Sequence, residues 1–118
     1  MAKILLVEDH GDTARMMNLL LVADGHAVQW ASDVAGGLEL AARQEFDLLL
    51  SDVGLPDGTG VEMMRTLRQR GSRLPGIIVS GYGQNDDIAR SRDAGFTAHL
   101  VKPVGLPELH EAIRATCG

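Results

Sequence analysis

The sequence predicts a doubly wound α/β domain, three layers deep, with helices on both faces of a five-stranded parallel sheet. Two observations carry this. Five short apolar runs recur along the chain, and the segments between them place their apolar residues at helical spacing. Several of the runs also lack clean polar–apolar alternation, which suits strands covered on both sides. Strand and helix thus alternate five times, and right-handed crossovers close such a pattern into a single three-layer unit.

The elements follow in order. KILLV (3–7), AVQWA (27–31), DLLLS (47–51), GIIVS (76–80) and AHLV (98–101) are the expected strands. Ala14, Met17 and Leu21 share one face of the first helix, and Val34, Leu38 and Ala41 share one face of the second. Val61, Met64 and Leu67 repeat the spacing in the third, and Leu109 and Ile113 carry it into the last. Gly25, Gly71 and Gly95 stand where the first, third and fourth helices should end. Pro107 suits the first turn of the last helix, where a missing N–H costs little.

The bulk composition narrows the class of function. At 118 residues the chain is long enough to bury one core, and we expect residues 1–118 to form a single domain. Aromatics make up 3% of residues, so that core must be aliphatic. A net charge of −5 disfavours a nucleic-acid or anionic-membrane surface. The one cysteine, Cys117, has no internal partner, which fits a reducing, cytoplasmic setting and an incidental thiol. No apolar run approaches the ~18 residues needed to span a bilayer.

In open α/β sheets ligands bind beyond the carboxyl ends of the strands, so the residues ending the strands are the candidates. The first strand ends in Glu8-Asp9, the third at Asp52, the fourth at Ser80 and the fifth at Lys102-Pro103. The second ends in Ala31-Ser32, which suggests that it lies away from the site. Three carboxylates at one sheet edge repel, and Lys102 supplies too little positive charge to offset them. A divalent ion would supply the rest. The ligands are hard oxygens without a histidine or cysteine pattern, so magnesium is the natural ion. A carboxylate beside such an ion can attack phosphorus and become an aspartyl phosphate. Ser80 and Lys102 would then contact phosphoryl oxygens.

These strand ends, in VEDH, LLLSDVGLPDGTG, IIVSGYG and HLVKP, closely resemble those of the receiver domain of two-component response regulators, over essentially the whole chain. The resemblance implies a flavodoxin/CheY-like (βα)5 fold with strand order 2-1-3-4-5. It implies that Asp52 is the phosphoacceptor, that Ser80 and Lys102 serve catalysis, and that Glu8, Asp9, Asp52 and the Gly54 carbonyl hold Mg2+. A cis Lys102–Pro103 bond is also implied. Pro56-Asp57-Gly58 is expected to be a turn with no catalytic role. Gly54 and Gly81, lacking side chains, would leave the approach to Asp52 open. Gly54, two residues after Asp52, and Tyr82, two after Ser80, are the neighbours that would tune the lifetime of the phosphoryl group, Gly54 leaving the phosphorus open to water and Tyr82 shielding it.

One position departs from the family pattern. Three residues before the lysine, receivers commonly carry a tyrosine or phenylalanine that moves with the hydroxyl residue, and here His99 stands there. Two readings are open: an exposed histidine with no switching role, or a residue that still switches and whose coupling depends on pH. His10, His26 and His110 show no metal-ligand spacing and are expected to be solvated.

The resemblance implies a phosphoryl donor, either a histidine kinase or a histidine phosphotransfer protein, and self-catalysed dephosphorylation rather than turnover of a separate substrate. The readout would pass to a protein partner through the fourth helix, fifth strand and fifth helix, with the polar segment 84–94 at its centre. No nucleic acid or membrane contact is expected of this domain. With one helix after Lys102, no output module is expected within the chain, which is either a single-domain regulator or a piece of a larger protein. SGYG and HLVKPV are similar to receivers at the end of hybrid kinases. The alternative is a degenerate receiver that docks partners unphosphorylated. A hydrolase using an aspartyl phosphate would want an aspartate at position 54, and a nucleotide-binding module would want a glycine loop where VEDHGD stands.

Overall fold

A computed structural model describes residues 2–81 and 88–117. Strands β1 (Lys3–Val7), β2 (Ala27–Ala31), β3 (Leu48–Asp52), β4 (Gly76–Ser80) and β5 (Phe96–Val101) form one parallel sheet. Its order is β2-β1-β3-β4-β5, as the resemblance implies. Helices α1 (Gly11–Ala23), α2 (Val34–Arg43), α3 (Gly60–Gln69), α4 (Ile88–Ala94) and α5 (Leu106–Cys117) connect and follow the strands. The sheet grows from β1 to β2 on one side and from β3 onward on the other. The switch point therefore lies between β1 and β3, where a crevice opens at the strand ends.

Alternation along the central strands divides the core in two. Ile4, Leu6, Leu48, Leu50, Ile77 and Val79 pack under α1 and α5, against Ala14, Met17, Leu21, Leu109 and Ile113. Leu5, Val7, Leu49 and Ile78 face the other way, onto Val61, Met63, Met64 and Leu67 of α3 and onto α2 and α4. The helix starts are fixed by side chains. Asp33 accepts from the Gly36 N–H at 2.6 Å to cap α2. Thr59 accepts from the Glu62 N–H at 3.0 Å in a capping box that starts α3. Gly25, Gly71 and Gly95 all adopt positive φ just beyond their helices, as expected of helix-ending glycines.

The structure amends three expectations. β2 is an edge strand and is largely exposed, with only Ala31 buried, so coverage on both faces holds for the inner strands alone. β3 runs from Leu48 to Asp52, one residue later than the run 47–51. β5 begins at Phe96, two residues early, because Phe96 is buried opposite Gly76 although the polar Thr97 interrupts the apolar pattern. Of the proposed readout segment, residues 84–87 lie outside the described residues, as does Tyr82. The remainder forms α4, whose Ser91 and Ala94 are buried, so this helix is anchored to the core rather than merely solvated. Among the described residues no helix is long and apolar enough to cross a membrane.

Candidate functional site: an acidic crevice at the strand ends

The ends of the four relevant strands are brought into line by backbone bonds that extend the sheet by one residue. Glu8 N–H donates to the Ala31 carbonyl at 3.0 Å, Val53 N–H to Val79 at 3.0 Å and Lys102 N–H to Ser80 at 2.8 Å. Glu8, Asp52, Ser80 and Lys102 are thereby delivered to one edge. The Lys102–Pro103 peptide is cis. The Lys102 ammonium lies 2.8 Å from Glu8 Oε1 and 3.1 Å from Asp52 Oδ2, tying three strand ends together. Asp52 Oδ1 accepts from the Val53 N–H at 2.9 Å.

Burial makes this arrangement costly without more positive charge. Glu8 is 2% exposed and Asp52 8% exposed. Burial, then the charge of Glu8, pushes the Asp52 carboxyl up to about 6 against the pull of Lys102. Burial also opposes ionisation of Glu8, but its bonds to Lys102 and to the His10 N–H outweigh it and hold that carboxyl below its usual range. Lys102 is itself buried enough to lose charge, yet Glu8 and Asp52 hold its pKa above the ordinary lysine value. One carboxylate of the pair is thus the natural proton acceptor until a second cation arrives. Ligand atoms of Glu8, Asp9, His10 and Asp52 lie within 4.8 Å of one another, a donor set that fits a divalent ion.

Ser80 is fully buried, and its Oγ lies 2.8 Å from His99 Nε2. His99 is half-buried, so the reading of it as a free surface histidine is corrected: burial on β5 and the neighbouring hydroxyl give its ring a specific partner. Gly54 is exposed in a two-residue ladder with Thr59, and a Cβ added there would meet nothing within 4 Å. The approach beside Asp52 is open on that side.

Of the other three histidines, His10 and His110 are exposed, as expected, but each lies against a carboxylate, whereas His26 is largely buried. His10 Nδ1 lies 3.3 Å from Asp9 Oδ1 and 3.4 Å from Glu8 Oε2, because the turn into α1 points it back at the acidic pair. The His26 side chain is 9% exposed, and its Nδ1 accepts from the Ala2 N–H at 2.9 Å. His110 Nδ1 is 2.8 Å from Asp24 Oδ2, joining α5 to the end of α1.

Three contributors escaped the sequence. The Trp30 indole N–H donates to the Glu8 carbonyl at 2.8 Å, bracing the end of β1 from the edge strand. Asp57 sits in the expected turn but also accepts from the Val34 and Ala35 N–H groups at 2.8 and 3.1 Å, which lowers its pKa and fixes the start of α2. Gly60 starts α3 so close to β3 that an added Cβ would stand 2.5 Å from the Asp52 carbonyl oxygen. Only the Thr-Gly start of a capping-box helix hinted at this position. The partners of Trp30 and Asp57 are more than 20 residues away and leave no local signal.

A family model described as "Response regulator receiver domain" matches residues 4–114. The chain is 39% identical over 114 residues to the KDP operon transcriptional regulatory protein KdpE of Escherichia coli, covering 97% of this chain and 50% of KdpE. It is 33% identical over 111 residues to the response regulator protein PilR of Pseudomonas aeruginosa, covering 94% of this chain and 25% of PilR. The chain therefore spans half or less of the length of these two relatives. Among solved structures, a receiver domain protein from Clostridium thermocellum superposes with a TM-score of 0.89 at 27% identity, over 98% of this chain and 93% of that one. The chemotaxis response regulator CheY4 of Vibrio cholerae does so with a TM-score of 0.89 at 27% identity, over 98% of each chain.

Proposed function

Because the chain belongs to the response regulator receiver family, we propose that it accepts a phosphoryl group on Asp52 from a phosphohistidine and relays that event to a protein partner. The observation that carries this reading is the single ammonium of Lys102 shared between two buried carboxylates, Glu8 and Asp52. Such a pair is short of positive charge by design of the fold, and a phosphoryl transfer site needs what it lacks. Glu8, Asp9, Asp52 and the Gly54 carbonyl would hold Mg2+. When bound, the ion would offset charge between Asp52 and the phosphoryl oxygens.

The residues of the chain do the rest. Asp52, as carboxylate, attacks phosphorus through Oδ while the phosphorus–nitrogen bond of the donor breaks, and the departing imidazole takes up a proton. Lys102, held at 3.1 Å from Oδ2, is placed to meet a phosphoryl oxygen as negative charge shifts toward Asp52. Ser80 lies one strand away on β4 and would turn its hydroxyl from His99 to another phosphoryl oxygen. Release of that bond frees His99, and so links chemistry at Asp52 to β5. In a separate step, water attacks phosphorus, the phosphorus–oxygen bond to Asp52 breaks to regenerate the carboxylate, and inorganic phosphate leaves with the water oxygen and its protons. The open side at Gly54 favours this hydrolysis.

The readout surface would be α4, β5 and α5, where Val101 and Leu106 are 50% and 41% exposed. The partners would be a histidine kinase or phosphotransfer protein and a downstream protein, in the cytoplasm, with no nucleic acid or membrane bound by this domain. Residues 1–118 would act as one receiver domain, alone or within a longer regulator. Intact mass after incubation with acetyl phosphate and Mg2+ tests this directly. A single-phosphate increase that needs Mg2+ and is lost in Asp52→Asn is expected. No increase at any time point would leave the unphosphorylated docking module as the better reading.

A further inference from the structure

The donor set beside Asp52 is not made of oxygen alone. His10 caps the start of α1: its carbonyl accepts from the Ala14 N–H at 2.9 Å, and its own N–H donates to Glu8 Oε2 at 3.2 Å. Its backbone is therefore fixed against the acidic pair from both sides. The ring then brings Nδ1 to 3.4 Å from that same Glu8 oxygen and 3.3 Å from Asp9 Oδ1. Lys102 occupies the other oxygen of Glu8, Oε1. The two poles of the Glu8 carboxylate are thus divided, with an ammonium at one and an imidazole nitrogen at the other. The imidazole is 71% exposed, so an ion from solvent can reach it.

The geometry points to His10 as a metal ligand that makes this crevice a carboxylate–imidazole site, selective for late divalent transition ions such as Zn2+ and Ni2+ over Mg2+. The inference rests on the reading above that the crevice holds a metal. Its physical basis is ligand preference. Mg2+ takes oxygen ligands and keeps several waters, so it gains little from an imidazole. Zn2+, Cu2+ and Ni2+ bind imidazole nitrogen well, and their affinity for mixed N/O sites exceeds that of the earlier ions. Ligation needs the lone pair of Nδ1, which leaves Nε2 to carry the ring proton. His10 would then decide which ion the receiver holds when both classes are present.

The chain contains its own reporter. Trp30 is its only tryptophan, and its indole N–H donates to the Glu8 carbonyl. Trp30 fluorescence would be followed while the full chain and His10→Ala are titrated with Mg2+ and, separately, with Zn2+. Each Zn2+ titration would be repeated in excess Mg2+ to show whether the ions share a site, since His26 and His110 could bind Zn2+ elsewhere. The expected result is Zn2+ binding that Mg2+ displaces, weakened about tenfold or more in His10→Ala, with Mg2+ affinity changed less than about twofold. Equal Zn2+ affinity in the two proteins, or Zn2+ binding indifferent to Mg2+, would overturn the role of His10 while leaving the Mg2+ reading intact. Absence of Mg2+ binding in both proteins would overturn the metal reading itself, and the inference with it.

Discussion

Replacing Asp52 with asparagine should stabilise the metal-free protein, although it removes the residue proposed to carry the chemistry. The carboxyl is raised from an ordinary 3.8 to about 6, first by burial and then by the charge of Glu8. Its ionised form is therefore disfavoured in the fold relative to the unfolded chain. At about 1.4 kcal/mol per pKa unit, roughly two units correspond to about 2–3 kcal/mol. The sign follows from proton linkage. Between pH 4 and pH 6 the folded state binds more protons at Asp52 than the unfolded state, so this group lowers stability as pH rises through that window. Above about pH 6 the full cost is present, and below about pH 4 it vanishes. The neutral amide of Asp52→Asn carries no such cost, and its side-chain carbonyl can still accept from Lys102. Urea unfolding of both proteins in EDTA should show the variant more stable by about 2–3 kcal/mol at pH 7.5, with the gap closing toward pH 4. Adding Mg2+ should narrow the gap, since the ion favours the wild-type carboxylate. Equal or lower stability of Asp52→Asn at pH 7.5 would refute the charge imbalance on which the functional reading stands.

Two further outcomes follow from the same geometry. His99→Ala should leave phosphoryl uptake on Asp52 within about threefold, a fraction of the energy of one hydrogen bond, but weaken the difference in partner affinity between the phosphorylated and free protein; an unchanged difference in a pull-down or titration would remove His99 from the switch. Gly60→Ala should cost about 1–3 kcal/mol of stability, because the new methyl group would strike the Asp52 carbonyl, the Ser51 hydroxyl and Ile78. A urea midpoint indistinguishable from wild type would show that α3 starts further from β3 than described.

Much of this was legible in the sequence because its causes are local. Leu48, Leu49 and Leu50 announce a strand buried on both faces, and Asp52 ends it at the sheet edge. Gly25 and Gly71 mark helix ends because positive φ is a property of one residue. The acidic pair, the hydroxyl and the lysine were each read from a strand end, and the parallel sheet then collected them at one edge. What escaped was set by partners distant in sequence. Asp57 looked like turn chemistry alone, since the N–H groups it caps belong to α2 more than 20 residues earlier. His26 and His110 look solvated because spacing along the chain says nothing about the Ala2 N–H meeting His26 or Asp24 meeting His110. Phe96 was left out of β5 because burial opposite Gly76 overrides the polar Thr97 beside it.

The charge of the crevice gives the proposed switch a physical basis. Glu8, Asp9 and Asp52 stand beside one ammonium, which touches Glu8 and Asp52, leaving the site about two charges negative when all are ionised. A divalent ion would bring it near neutrality. A phosphoryl group, carrying about −1.5 to −2 charges in place of the single charge of the Asp52 carboxylate, would then restore part of the deficit at a point already dehydrated by burial. Lys102 is bound to Glu8 and Asp52 and has limited freedom to respond, whereas the Ser80 hydroxyl, among the described residues, is bonded to the His99 ring. Exchanging that bond for one to an anionic oxygen is favourable, since hydrogen bonds to charged groups are roughly twice as strong as neutral ones. The weakest link in the crevice is thus the one that leads outward to β5, and this is where added charge at Asp52 has its least costly route to the surface.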